Sequence, residues 1–387
     1  MMIIEAPRTL AELLDYTAEA LDIAPELDAR LTASYRDLGE WFKRDNETRF
    51  FANSEVYPQG SKRLGTLTAP ANARDDCDVD LVYRRDVKRT SVTQAELKES
   101  AGEQLSRYLL DRSRRGLEVP RLTEGSRCWC LRYDGYHLDV LPALPDDMVP
   151  RSANAIIITD RDLHEWQSSN PKAYSRWFRK RMEVALLEKR ATVAKSAGVD
   201  VKEVSEETVK TPLQRAVQLL KRHRDVTYEG HPDDKPTSII ITTLAAQAYG
   251  NETDIYAALL SIVSGMHEHI RQKDGKLWVL NPTNPEENFA DRWVQYPQRA
   301  ELFVSWLGAV RRDLTGALTE NGLEKVAKVL GRGFGQDVAN RALQRYATTK
   351  RVQRESGTLR ASRGVATLGT GASGIVVPRH TFFGDGK

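Results

Sequence analysis

The sequence predicts an α/β protein of two lobes, with its strands in the first half and mostly helices in the second. Three observations lead there. The runs CDVDLVY from Cys77 and YHLDVLPAL from Tyr136 alternate polar and apolar residues, the period of a strand. Beyond Pro171, apolar residues recur mainly at helical spacings. A chain of 387 residues, 40% hydrophobic and 29% charged, is long enough for at least one large core and two lobes.

Taken in order, Thr9 to about Leu21 and Pro25 to about Lys43 read as helices. The second carries an apolar stripe of Leu27, Leu31, Tyr35, Leu38 and Phe42. A Gly-Ser turn follows at Gly60 and Ser61, whose backbone N–H groups and hydroxyl suit a phosphate chain. In the strand from Cys77, Asp78 and Asp80 share one face while Val79 and Leu81 face a core. Adjacent carboxylates repel, so a fold that gathers them supplies a cation. Hard carboxylate oxygens together with substrate phosphates suit magnesium. Gly-Ser alone is a common turn and Asp-x-Asp alone is common on surfaces; it is their combination with an apolar strand that points to a nucleotide triphosphate and its metals.

Val92 to about Ser113 reads as a helix, and CWCLRYDGYHLDVLPALP as two strands around a turn at Asp134-Gly135. That hairpin would set Asp139, on the same strand face as His137, beside Asp78 and Asp80. Three carboxylates around two metals is the arrangement of two-metal phosphoryl transfer. Pro142, Pro145 and Pro150 mark the lobe boundary. The expected division is 1–160 for the catalytic lobe, 161–347 for the helical lobe and 348–387 for a flexible tail.

In the second half, Pro171 to Lys195 is a basic helical segment read as a solvated face, with Tyr174, Trp177 and Phe178 turned inward. Helices are expected at Leu213–Val226, Ser238–Tyr249 and Asp254–Gln272, with two more between Leu307 and Tyr346. Ser238 is placed to cap a helix. His267 and His269 are not read as metal ligands. NPTNPEENFADRW is a turn-rich loop expected to pack on the catalytic lobe. After Tyr346 the composition shifts to Gly, Ser and Thr; this run lacks the lysine and following helix of a P-loop. The end, PRHTFFGDGK, has the pattern of a tethered docking peptide.

Other classes are disfavoured. The net charge of +3 gives no general attraction to nucleic acid, so activation by it is not expected. No apolar run is long enough for a membrane span and the N-terminus is not that of a signal peptide. Cys77, Cys128 and Cys130 form neither a Cys-x-x-Cys pair nor a disulfide framework, which suits a reduced cytoplasmic protein. Cys77 is given no catalytic role.

QGSKRLGT, DCDVDLV and HLDVLPALP together resemble the DNA polymerase β-like nucleotidyltransferase superfamily. LQRAVQLLKRHRD, KPTSIIITTLAA and LNPTNPEENFADRW narrow the resemblance to the cGAS/DncV-like nucleotidyltransferases (CD-NTases), the cyclic-oligonucleotide synthases of CBASS antiphage defence. The resemblance runs from about Tyr57 to Trp293. It implies a mixed-sheet palm lobe, a helical C-terminal lobe with the nucleotides in the cleft between them, and a long N-terminal spine helix. Asp78, Asp80 and Asp139 would bind two Mg2+ ions, with Mn2+ able to substitute. Gly60, Ser61, Lys221 and Ser238 would hold the triphosphate. The implied reaction joins ribonucleoside triphosphates into a cyclic product with loss of pyrophosphate. The implied partners are a downstream effector of that product and a regulatory or ligase partner at the tail. Linear tailing of RNA, nucleotide transfer to a small molecule or protein, and a non-enzymatic nucleotide-sensing subunit stay open on the residues alone.

Overall fold

The computed structural model describes residues 8–44, 54–72, 75–148, 154–159, 166–320, 322–361, 368–370 and 375–378. The Phe382-Phe383-Gly384 ending lies outside them. Two compact units are present. One comprises Asp22–Glu183 and Trp278–Ala290; the other comprises the described residues of Met1–Leu21, Val184–Leu277 and Asp291–Lys387. The chain therefore divides at Glu183 rather than near residue 160. The first helix, α1 (Arg8–Glu19), belongs to the helical unit, whereas α2 (Pro25–Arg44) belongs to the other. The two helices read from the sequence are both present, and α2, at 20 residues, is the longer of them.

The sheet-containing unit runs α2, β1 (Glu55–Pro58), α3 (Gly60–Leu64), β2 (Cys77–Arg84), α4 (Gln94–Arg114), β3 (Arg121–Glu124), β4 (Trp129–Tyr133), β5 (Tyr136–Pro145), β6 (Ile156–Ile158), β7 (Gln167–Ser169) and α5 (Pro171–Arg181). The seven strands form one sheet, with the path β1-β2-β5-β4-β3 and with β6 between β5 and β7. β2 and β5 are parallel and the other pairs antiparallel, so the sheet is mixed.

One face of this sheet is dry. Cys77, Val79, Leu81 and Tyr83 of β2 join Tyr136, Leu138 and Val140 of β5 in a buried cluster. Leu31, Leu38, Trp41 and Phe42 of α2 and Ala101, Leu105 and Tyr108 of α4 cover it. The strand period of two then sends Asp78, Asp80, His137 and Asp139 to the opposite face. Helix α4 starts on a capping box, with Thr93 and Glu96 satisfying each other's backbone N–H.

In the helical unit, α6 (Glu183–Ala197) follows a break at Met182, so the basic segment is two helices rather than one. Then come α7 (Pro212–Thr227), α8 (Ser238–Ala248) and α9 (Ile255–Gly265). The helix expected to reach Gln272 stops at Gly265. Beyond a 3-10 turn lies the hairpin β8 (Arg271–Lys273) and β9 (Lys276–Trp278), turned by Asp274 and Gly275 at φ 52° and 73°. An Asp-Gly pair with positive φ at both residues is the preferred two-residue hairpin turn. The Asn-Pro-rich loop forms β10 (Leu280–Asn281) and β11 (Asn284–Asn288), within the sheet-containing unit, where Phe289 meets Tyr174 of α5 edge-on at 6.1 Å.

After α10 (Arg292–Gln295), three helices complete the unit: α11 (Gln298–Thr319), α12 (Leu323–Phe334) and α13 (Gln336–Glu355). α13 continues past residue 348, where the tail was expected to begin. It packs against α1, with Tyr16 edge-on to Tyr346 at 6.4 Å and Lys350 Nζ 2.6 Å from Glu12. Three short strands, β12 (Arg360–Ala361), β13 (Leu368–Gly369) and β14 (Ile375–Val376), follow as a small antiparallel sheet. No helix among the described residues is long and apolar enough to cross a membrane.

Gly102 of α4 tests the packing of helix on sheet. Alanine normally favours a helix over glycine by about 1 kcal/mol. Here a Cβ would lie 2.3 Å from Cζ2 of Trp129, whose Nε1 is held by the Lys98 carbonyl at 2.8 Å. Overpacking costs roughly 1–3 kcal/mol and outweighs the propensity gain. Gly102→Ala should therefore lower the urea midpoint; a raised midpoint would show that Trp129 moves aside freely.

Candidate active site

The site is assembled by strand register. β2 lies parallel to β5 with Asp80 opposite Asp139 and Asp78 opposite His137. The sequence-predicted carboxylates are thus brought to one face of two adjacent strands. The side chain of Asp78 is 56% exposed, and its Oδ1 lies 3.2 Å from Nε2 of His137. Asp139 is half-buried. Burial first, and then the charge of Asp78, push its carboxyl above the usual carboxylate range, against the opposing pull of the Cys130 thiol and His137. His137 is shifted upward chiefly by its hydrogen bond to Asp78, with burial opposing. A face this negative, with one acid already resisting ionisation, suits added positive charge. The residues therefore fit the divalent cations that the motif implies.

Gly60 and Ser61 do not form an isolated turn. They open α3, and Gly60 has φ 56°. A Cβ at Gly60 would lie 2.6 Å from Oδ2 of Asp80, so only glycine fits this approach of backbone to carboxylate. The same corner is tied to β2 by the Gln59 N–H, which donates to the Asp80 carbonyl at 2.9 Å. The short helix closes with Gly65 in the left-handed region.

Lys221 and Ser238 lie in the helical unit. Lys221 is buried on α7. Ser238 is the first residue of α8 and follows Thr237 at the N-cap, one position away from the capping role expected of it. Its hydroxyl instead accepts from Nη1 of Arg224 at 2.9 Å. Arg224 also binds Asp225, which pairs in turn with Lys235. A seat for Ser238 in this polar cluster was not foreseen; the closely spaced charges of KRHRD and the following KPTS were its only trace.

Two further residues were passed over. His137 was placed on the carboxylate face without a role, and the structure joins it to Asp78. Cys130, opposite Asp139 on β4, is pushed up to about 12 by burial and then by its hydrogen bond to Asp139. Cys128 is pushed up to about 11 by burial and then by the charge of Asp139. Cys77 lies in the core behind the sheet.

No protein-family model matches the sequence. A c-di-GMP synthase of Roseivirga ehrenbergii is 32% identical over 386 residues, covering 98% of this chain and 98% of that protein. The chain belongs to the cGAS/DncV-like nucleotidyltransferases. This CD-NTase is also 26% identical over 361 residues to the cyclic dinucleotide synthase CdnG of Bradyrhizobium diazoefficiens, covering 87% of the chain and 82% of that protein. The solved structure of CdnG in complex with GTP matches with a TM-score of 0.70 at 23% identity, over 87% of this chain and 99% of that one. E. coli MS115-1 CdnC, solved with HORMA-deltaN, matches with a TM-score of 0.60 at 13% identity, over 84% and 96% of the two chains. These two structures support the fold, the polymerase β-like α/β architecture with a helical unit.

The charge on the carboxylate face predicts a stability effect of a particular sign. A carboxyl whose folded pKa lies above its unfolded value costs stability once pH rises through that folded value. Without divalent cations at pH 7.5, Asp139→Asn should therefore raise the melting temperature by a few degrees. The advantage should shrink at pH 3, below the unfolded aspartate value of about 3.9, where both states are largely protonated. Thermal melts in EDTA at both pH values check this, and a lowered melting temperature at pH 7.5 would contradict it.

Proposed function

We propose that this CD-NTase makes cyclic di-GMP from two molecules of GTP in a magnesium-dependent reaction, as a second messenger of CBASS antiphage defence in the cytoplasm. The observation that carries the chemistry is the in-register pairing of Asp80 with Asp139, with Asp78 on the same face. The choice of GTP follows the c-di-GMP synthase and CdnG to which the chain is similar.

A ribose hydroxyl of one GTP attacks the α-phosphorus of the other, a phosphodiester forms and pyrophosphate leaves. The same exchange, repeated within the linear product, closes the ring. Asp78, Asp80 and Asp139 would hold the two cations. When bound, these would lower the pKa of the attacking hydroxyl and neutralise charge on the departing pyrophosphate. The protein's own contribution is placement and charge. The β2–β5 pairing fixes the carboxylates before substrate arrives, so little reorganisation is needed during the reaction. Gly60 admits the α3 backbone to the edge of Asp80, where Ser61 can offer its hydroxyl to a phosphate. Lys221 and Ser238 are assigned to the triphosphate by the family pattern, and Arg224 would orient the Ser238 hydroxyl. His137 competes with cations for Asp78, so their binding should weaken where the imidazole is protonated. A downstream effector of the product, and a partner reading the tail, belong to the same proposal.

Incubating the protein with GTP and Mg2+ should give a phosphatase-resistant product with the mass of cyclic di-GMP. Asp78→Asn and Asp80→Asn should each fold normally and lose roughly 100-fold or more in rate. Gly60→Ala should also lose activity, because the added methyl displaces the Asp80 carboxylate. Wild-type rates in both aspartate variants, or a linear product only, would overturn the reading.

Lys221→Ala gives a separate check in steady-state kinetics. If Lys221 binds the triphosphate, KM for GTP should rise about tenfold, as expected for the loss of roughly 1.4 kcal/mol of binding. An unchanged KM and kcat would remove Lys221 from the site.

A further inference from the structure

Beside the magnesium carboxylates lies a second donor set of different chemistry. Cys130, His137 and Asp139 each present one ligand atom, and these atoms lie within 4.8 Å of one another. The backbone holds them together: Cys130 pairs with Asp139 across β4 and β5, and His137 precedes Asp139 by two residues on the same strand face. Cys130 is 9% exposed and the His137 side chain 18%, so the set is walled by protein while remaining within reach of solvent. Nδ1 of His137 is buried with no hydrogen-bond partner among the described residues.

We propose that Cys130, His137 and Asp139 form a binding site for zinc or a similarly thiophilic divalent cation. Because Asp139 belongs to both sets, zinc bound here withdraws it from the magnesium cluster and inhibits synthesis. That inhibitory consequence rests on the function proposed above; the binding site does not.

Ligand preference supports two cations at neighbouring positions. Magnesium takes hard oxygen donors, whereas thiolate and imidazole select zinc. Tetrahedral zinc distances place donor atoms about 3.3–3.6 Å apart, so the set needs to contract by roughly 1 Å. Whichever ring nitrogen binds, the other already faces a carboxylate. Asp78 lies 3.2 Å from Nε2, and Asp76 lies 3.8 Å from Nδ1. Zinc-bound imidazoles usually have such an outer partner, which fixes the ring. On binding, the Cys130 thiol, which now donates to Asp139, becomes a thiolate and its proton passes to buffer. Water or substrate would fill the fourth position.

Cobalt(II) is the probe, titrated into the full-length metal-free protein without nucleotide or magnesium. The wild type should show a near-ultraviolet sulfur-to-cobalt charge-transfer band that zinc removes. Cys130→Ser should lose the band and bind zinc more weakly by at least the roughly 10–100-fold that loss of an outer partner costs. Cys128→Ser should keep both. Circular dichroism checks folding, and Cys130→Ala serves if the serine variant is unstable. In GTP turnover with Mg2+, zinc should inhibit the wild type, while Cys130→Ser should keep its zinc-free rate and resist zinc. No band, or a band that survives both Cys130 variants, overturns the site. A Cys130-dependent band without zinc inhibition overturns the coupling through Asp139. A Cys130-dependent band in a protein that makes no product even without zinc leaves the site standing and overturns the function proposed above.

Discussion

The parallel pairing of β2 with β5 is the constraint on which the site depends. Each strand alternates apolar and polar side chains, and the apolar set is committed to the cluster under α2 and α4. Slipping the register by one residue would bury aspartates and expose leucines and valines, so the core itself holds the carboxylates on the outer face. Like charges on adjacent strands are unfavourable in the bare protein: burial first, and then the charge of Asp78, raise the carboxyl of Asp139. That cost lies where cations would relieve it. The same core packing that stabilises the sheet thus holds the acidic face in place.

The family likeness and the geometry carry different parts of the account. Identity over nearly the whole chain places it among the CD-NTases. The structural matches carry the architecture. Neither supplies the local details, which come from the molecule: Gly60 against Asp80, His137 on Asp78, Cys130 on Asp139 and Arg224 on Ser238. Asp139 lies beside the Cys130 thiol and the His137 imidazole, a mixed set of oxygen, sulfur and nitrogen donors that the motif alone does not reveal.

Much of the site was legible because period two is local. That Asp78 and Asp80 share a face of their strand, and His137 and Asp139 a face of theirs, follows from counting residues, and Asp134-Gly135 marks the turn that delivers the second strand. The parallel neighbour relation of β2 and β5 joins residues more than fifty positions apart, and no local pattern encodes it. Helix ends were harder to read. Apolar spacing continues weakly through Met182 and past Gly265, and the breaks there depend on packing; the signal of Asp274-Gly275 was present but outweighed by the apolar run before it. The placement of the Asn-Pro-rich loop with the sheet was expected, but the assignment of α1 to the helical unit was not legible, because it is decided by which surface that helix buries. Cys130 gave no sequence signal, since its spacing fits no metal motif; only its strand partner does.

A crystal structure with Mn2+ and a non-hydrolysable GTP analogue, with data collected at the manganese absorption edge, tests the central claim most directly. The account predicts two anomalous peaks bounded by Asp78 and Asp80, with the Asp139 carboxylate coordinating one of them. Nucleotide and manganese bound elsewhere, with Asp139 turned away from both peaks, would contradict it.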